Sequence, residues 1–195
     1  MKSQTKIVLA STSKQRIDIL KAAGFTFEVI PSDYPEVDEK FLSPLEQAKK
    51  HAFNKAKIVA DILKAGFIIG CDTVVDLNGK LVQKPIDRAH AKQIISEQQG
   101  QTFKVVSGLC LFNAALERNI TVAEETKLTF APMTEAEIEW YLDSEEWKDK
   151  SGAFSIQGLG SRFITNIEGD YLNIVGLPLS RLYQLLKSFG YNEFE

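Results

Sequence analysis

The stretch Gly70-Cys71-Asp72-Thr73 puts one carboxylate inside an apolar run from Phe67 to Leu77, with Ile68 and Ile69 before it and Val74 and Val75 after it. An ionised carboxylate taken out of water without a partner costs several kcal/mol, the scale of a whole domain's net stability. Asp72 therefore needs a cation, or a place at a strand end facing a cleft. The other unusual residues of the chain point to a cleft on which they converge with Asp72.

Bulk properties narrow the setting. At 195 residues, 44% hydrophobic and 25% charged, the chain reads as one globular domain over 1–195, with two lobes around a cleft. A chain of this size buries about 70% of its extended surface and needs no disulfide or metal staple. A net charge of −3 argues against a nucleic-acid or membrane-surface binder, which needs clustered positive charge, but leaves a small anionic ligand open. Cys71 and Cys110 fall in strand-like apolar runs and read as buried thiols in a reducing compartment. No apolar stretch approaches the ~18 residues of a membrane span. Met1 to Lys6 is polar and leads straight into a strand, unlike a signal peptide. The expectation is a cytoplasmic protein.

Along the chain, Lys6 to Ala10 reads as a buried strand, followed by Ser11-Thr12-Ser13 and a helix over Lys14 to Ala23 with Ser13 as its N-cap. Lys14 and Arg16 put positive charge where the helix dipole prefers negative charge. They are either solvated cations or part of a phosphate cradle with the Ser hydroxyls and the helix N-terminus. The glycines of a P-loop are missing. Phe25 to Ile30 is a second strand, and Pro31 to Leu42 an acidic loop with Asp33, Glu36, Asp38 and Glu39. A carboxylate of that loop near a phosphate site would suit Mg²⁺.

Ser43-Pro44-Leu45-Glu46 is a capping box, and its helix carries an apolar stripe of Leu45, Ala48, Ala52, Ala56, Val59 and Leu63 with Lys55 on the flank. His51 and His90 have no carboxylate or Cys at metal-ligand spacing and read as surface histidines. Asn78-Gly79 predicts a type I′ hairpin between Phe67–Leu77 and Lys80–Val82, bringing Lys84 toward Asp72 near the end of the ladder. Asp87 caps a helix to about Gln99. Thr102 to Phe112 and Thr121 to Phe130 read as antiparallel strands, and Thr134 to Glu137 as a second capping box. Ser151 to Gly160 is turn-rich and suited to backbone approach on a flat ligand. Phe163 to Ile167 and Tyr171 to Val175 read as a hairpin around Glu168-Gly169-Asp170, before a last helix opened by Gly176-Leu177-Pro178.

Six ordered motifs carry a resemblance: Leu9 to Arg16, Asn54 to Lys57, Gly70 to Thr73, Lys84-Pro85, Ile156 to Gly158 and Gly169 to Pro178. In this order they resemble the Maf-like nucleoside triphosphate pyrophosphatases, named for a link to septum formation, over about 6–188. The resemblance implies an α/β fold of the inosine triphosphatase-like type, an elongated mixed sheet flanked by helices around a central cleft. It implies hydrolysis of a nucleoside triphosphate to monophosphate and pyrophosphate with a divalent cation, Mg²⁺ or Mn²⁺. By matching position, Ser11, Ser13 and Arg16 would hold phosphate, and Thr73 and Gln157 would lie near the base. Glu36, Lys55, Asp72 and Lys84 would form the polar core, with Glu36 and Asp72 toward the metal and Asp72 as general base. Whether Asp72 is chiefly base or metal ligand stays open at this point. The pairs Ile156-Gln157-Gly158 and Asp72-Thr73 resemble the branch acting on dTTP and UTP. Lys14, Gln15, Phe103 and Phe154 depart from residues common in relatives, and Gln15 leaves the nucleobase open. Relatives often form homodimers, although no apolar stripe here demands one.

The chemistry fits the residue types independently. Water attacking an α-phosphorus must lose a proton to a base such as Asp72, while charge develops on the departing oxygen near Arg16, Lys55 and Lys84. Two other readings use the same residues: a non-enzymatic nucleotide sensor or partner binder in division control, and a phosphotransferase or monophosphate hydrolase.

Overall fold

The computed structural model describes residues 6–192; the polar lead Met1 to Thr5 and residues 193–195 lie outside the described residues. Among the described residues, seven strands form one mixed sheet: β1 (Ile7–Leu9), β2 (Phe27–Val29), β3 (Phe67–Leu77), β4 (Lys80–Val82), β5 (Thr102–Asn113), β6 (Arg118–Phe130) and β7 (Ile164–Glu168). Their order is β2-β1-β3-β5-β6-β7, with β4 paired to β3. β1 runs parallel to β2 and β3, whereas β3, β4, β5, β6 and β7 pair antiparallel. The helices are α1 (Lys14–Ala22), α2 (Pro44–Leu63), α3 (Arg88–Gln98), α4 (Glu135–Asp143), α5 (Tyr171–Val175) and α6 (Leu179–Ser188). The expected mixed sheet flanked by helices is what the chain forms.

β3 is the strand on which the site depends. One side pairs with β5 from Phe67 to Asp76. The other side pairs with β1 only as far as Ile69 and with β4 only from Val75, leaving Gly70 to Val74 without a strand neighbour there. The gap exists because β1 leaves the sheet into α1 and because Asn78-Gly79 turns β3 back for only a short return. Both turn residues have positive φ, 54° and 85°, as a type I′ turn requires.

Helix α2 covers one sheet face. Its capping box forms as expected: Ser43 Oγ accepts from the Glu46 N–H, and the Glu46 carboxylate accepts from the Ser43 N–H. Ala52, Ala56 and Val59 pack on Ile68, Cys110 and Phe112. The approach is close enough that a Cβ at Gly70 would stand 2.1 Å from the Ala52 carbonyl oxygen, and one at Gly108 2.1 Å from that of Ala48. Gly108 is the register partner of Asp72, so the contact that needs glycine brings α2 down beside the carboxylate. Leu20 of α1 and Leu182 and Leu186 of α6 cover the other face, against Leu9, Ile69, Cys71 and Leu109. At the far end, Phe103, Val105, Leu128 and Phe130 pack with Ile95 of α3 and Leu142 of α4.

Two elements differ from expectation. Tyr171–Val175 is a short helix, not the second strand of a hairpin, because Asp170 Oδ1 caps the Leu172 N–H at 2.8 Å. The turn then carries Asn173 into the interior, where its amide donates to Val105 O and Thr126 Oγ1. The β5–β6 connection is confined to 114–117, since pairing continues to Asn113 and Arg118. Both cysteines are free and buried. No helix among the described residues is long and apolar enough to cross a membrane.

Candidate active site

The gap beside Gly70 to Val74 opens into a cleft of about 740 Å³, of a size with small-molecule sites. Successive side chains of β3 point to opposite sheet faces. Asp72 reaches the α2 face and Thr73 the α1 face, and both line the cleft because no strand among the described residues covers that edge.

Lys55 resolves the energetic problem of Asp72. Its ammonium, on a side chain only 7% exposed, donates to Asp72 Oδ1 at 2.7 Å and pairs with Glu36 Oε1 at 2.6 Å. The flank position on α2 lets the aliphatic stem lie against the sheet while its charged end reaches two carboxylates. Lys84, expected near Asp72, stands exposed on the cleft lining beyond the end of β4 and forms no ion pair among the described residues. It lines the same cleft as Asp72.

Arg16 lies on the opposite face and is buried. Its Nε donates to Gly176 O at 2.9 Å, Nη1 to Ser11 Oγ at 3.1 Å and Nη2 to Thr73 Oγ1 at 3.2 Å. All three acceptors are neutral, and Arg16 has no carboxylate partner among the described residues. Ser13 does not cap α1 as expected. Its hydroxyl donates to Gln15 Oε1, while its N–H donates to Ser11 Oγ, so the start of α1 keeps no side-chain cap. The expected cradle elements Ser11, Ser13 and Arg16 are thus together on one wall. The Cys71 thiol beneath them donates to Gly176 O, and burial pushes its pKa up, which makes it a poor nucleophile.

Gln157 is exposed on the cleft lining, next to buried Phe154 and Ile156. Phe103, Phe130 and Phe154 meet edge to face at centroid distances of 5.1–5.9 Å. The two Phe departures noted in the sequence therefore complete an apolar ring cluster that requires no polar partner.

The acidic loop is where the sequence reading fell short. His51 is not on the surface; it is buried and contacts Tyr34 Oη, Gln47 Nε2 and Asp38 Oδ1. His90 is half-buried, its Nδ1 accepting from the Ile86 N–H. Gln47 bonds Val37 O, Asp38 and the Glu39 N–H, Asn54 bonds Tyr34, and Lys50 pairs with Glu39. Gln47, Lys50, His51, Asn54 and Lys55 share one helical face, a polar stripe at i, i+3, i+4, i+7 and i+8 beside the apolar one. That spacing was the available signal for the residues missed.

Glu36 and Asp72 each give one oxygen to Lys55, which leaves each a second oxygen for a cation. No group of three or more His, Cys, Asp or Glu capable of holding a metal occurs among the described residues. This donor set fits Mg²⁺ or Mn²⁺, which takes one or two carboxylates and completes its shell with water and substrate phosphate. It does not fit a closed zinc site.

The Maf-like protein family model matches residues 6–189. The chain is 43% identical over 188 residues to the dTTP/UTP pyrophosphatase of Carboxydothermus hydrogenoformans, covering 95% of this chain and 100% of that protein. It is 40% identical over 187 residues to the protein of the same name from Pelotomaculum thermopropionicum, covering 96% and 98% respectively. Among solved structures, the Staphylococcus aureus Ham1 protein aligns at 17% identity with a TM-score of 0.46, over 65% of this chain and 72% of that one.

Proposed function

The chain belongs to the Maf-like protein family, and we propose that it is a nucleoside triphosphate pyrophosphatase acting on dTTP and UTP or related pyrimidine nucleotides in the cytoplasm. The observation that carries this reading is the charge layout of the cleft. Lys55 sits between Asp72 and Glu36 on one wall, and a buried Arg16, without a carboxylate partner among the described residues, faces the same space. A buried guanidinium held only by neutral acceptors suits an anionic ligand, because a phosphate supplies the charge that its present partners lack.

In the proposed reaction the triphosphate lies along the Ser11–Arg16 wall with its α-phosphorus near Asp72. Asp72 keeps one oxygen on Lys55 and takes a proton from water with the other. The water oxygen bonds to the α-phosphorus as the bond to the bridging oxygen breaks, giving monophosphate and pyrophosphate. Arg16, Lys55 and Lys84 stabilise the charge that develops on the departing pyrophosphate. The second oxygen of Glu36 would hold the divalent cation, which supplies charge neutralisation at the phosphates. Ser11 and Ser13 orient phosphate oxygens, and Thr73 and Gln157 face the nucleoside.

A panel of canonical and modified triphosphates with Mg²⁺ or Mn²⁺ and pyrophosphate detection tests this. Release of pyrophosphate from dTTP or UTP is expected, and none from Asp72→Asn. No turnover across the panel would leave a nucleotide-binding role, and release of orthophosphate would indicate a different hydrolase.

A further inference from the structure

Helix α2 does more than carry Lys55: its polar stripe suspends the loop that contributes Glu36. Three atoms meet at the centre of that stripe. Gln47 Nε2 lies 3.0 Å from Asp38 Oδ1 and 2.7 Å from His51 Nε2, and His51 Nε2 lies 3.2 Å from Asp38 Oδ1. The orientation of Gln47 is set independently, because its Oε1 accepts from the Glu39 N–H and its Nε2 donates to Val37 O. A carboxylate oxygen readily accepts from two N–H groups, whereas a bare imidazole lone pair against it would be repulsive. At His51 Nε2 two arrangements compete: protonated, it donates to Asp38 Oδ1, and bare, it accepts from Gln47 Nε2 at 2.7 Å.

With Nε2 as donor, the rest of the cluster falls into one direction. Asn54 Nδ2 donates to Tyr34 Oη at 3.0 Å, and the Tyr34 hydroxyl donates to His51 Nδ1 at 3.3 Å. The chain of donors ends on Asp38, whose other oxygen accepts from Gln83 Nε2 at 2.8 Å. Gln83 precedes Lys84 and lines the cleft with it. One imidazole thus joins α2, both ends of the Tyr34–Asp38 loop segment and the strand end that presents Lys84.

We propose that His51 is a positioning residue, held with its proton on Nε2, which fixes Glu36 against Lys55 and, through Asp38 and Gln83, the wall that carries Lys84. It touches none of the proposed reacting atoms. Its effect on turnover rests on the pyrophosphatase reading; its effect on the loop does not.

The test uses the full chain labelled with ¹⁵N-histidine, which reports only His51 and His90; His90→Gln assigns the two. Under mildly alkaline conditions His51 is expected as the Nε2–H tautomer. An Nδ1–H tautomer, or a ring averaging between the two, overturns the proposal. In His51→Leu, which keeps an apolar side chain in the space, amide exchange over residues 33–39 should rise about tenfold while α6 is unchanged. The kcat should fall about tenfold or more with KM within about twofold, since the phosphate wall is built by other elements. His51→Gln, which keeps a donor near the Nε2 position, should recover most of both losses. Unchanged exchange in His51→Leu, or a glutamine variant no better than the leucine one, sinks the positioning role. If the wild type turns over no triphosphate, the pyrophosphatase reading fails, while tautomer and exchange still decide the role of His51.

Discussion

Replacing Lys55 by methionine removes the charge between Asp72 and Glu36 while keeping a stem of similar length. Asp72 is 9% exposed in its side chain and has its cation at 2.7 Å; Glu36, at 43%, can turn to water. At an effective dielectric of about 20, a pair at this distance attracts by ~6 kcal/mol before desolvation is counted. Removing one member of a buried pair typically costs ~3–5 kcal/mol, because the remaining charge stays buried without a partner. Lys55→Met should therefore lose ~3–5 kcal/mol, a shift of about 10 °C in Tm for a chain of this length. Asp72→Asn should lose less, since Lys55 keeps Glu36. The double variant Lys55→Met/Asp72→Asn should be more stable than Lys55→Met alone, with a coupling of at least ~1 kcal/mol. Urea unfolding of the four proteins measures this. Additive losses, or a Lys55→Met cost below ~1 kcal/mol, would refute the view that Lys55 keeps Asp72 charged in place.

Gly70→Ala should destabilise by about 3 kcal/mol or more, since its Cβ would meet the Ala52 carbonyl at 2.1 Å. It should also cut turnover by lifting α2 and Lys55 away from Asp72, which kinetics and thermal unfolding together would show. Burial raises the Cys110 thiol from 9.0 to about 11. The folded state holds that proton more tightly, so its contribution is full below pH 9 and is lost as the pH climbs through about 11. Stability should fall over that window by up to ~3 kcal/mol from this group, and Cys110→Ala should make the fall shallower in urea titrations. Arg16→Lys should raise KM for the triphosphate about tenfold or more, because one ammonium cannot replace a fork that reaches Gly176, Ser11 and Thr73 together. A lysine variant with unchanged KM would remove Arg16 from substrate binding.

Much of this architecture was legible residue by residue. The capping boxes at Ser43 and Thr134 and the Asn78-Gly79 turn are local devices whose residue types admit few alternatives. Asp72 stood out because a carboxylate in an apolar run demands a partner. Which cation supplied it was not legible, because that depends on how closely α2 approaches the sheet, and the glycines that permit this lie on other elements. Tyr171 to Val175 misled because its β-branched and aromatic residues favour a strand, whereas the Asp170 cap and the bonds of Asn173 decide for a helix. His51 misled for a similar reason: a polar stripe on a helix reads as solvent-facing until the loop that covers it is seen.

The most direct test of the proposed chemistry is the fate of water oxygen. Turnover of dTTP or UTP by the wild type in ¹⁸O-water should place the label in the monophosphate and leave the pyrophosphate unlabelled, and Asp72→Asn should give neither product. Label in the pyrophosphate would mean attack at the β-phosphorus, and full activity in Asp72→Asn would mean that the carboxylate in the apolar run is not the group that activates water.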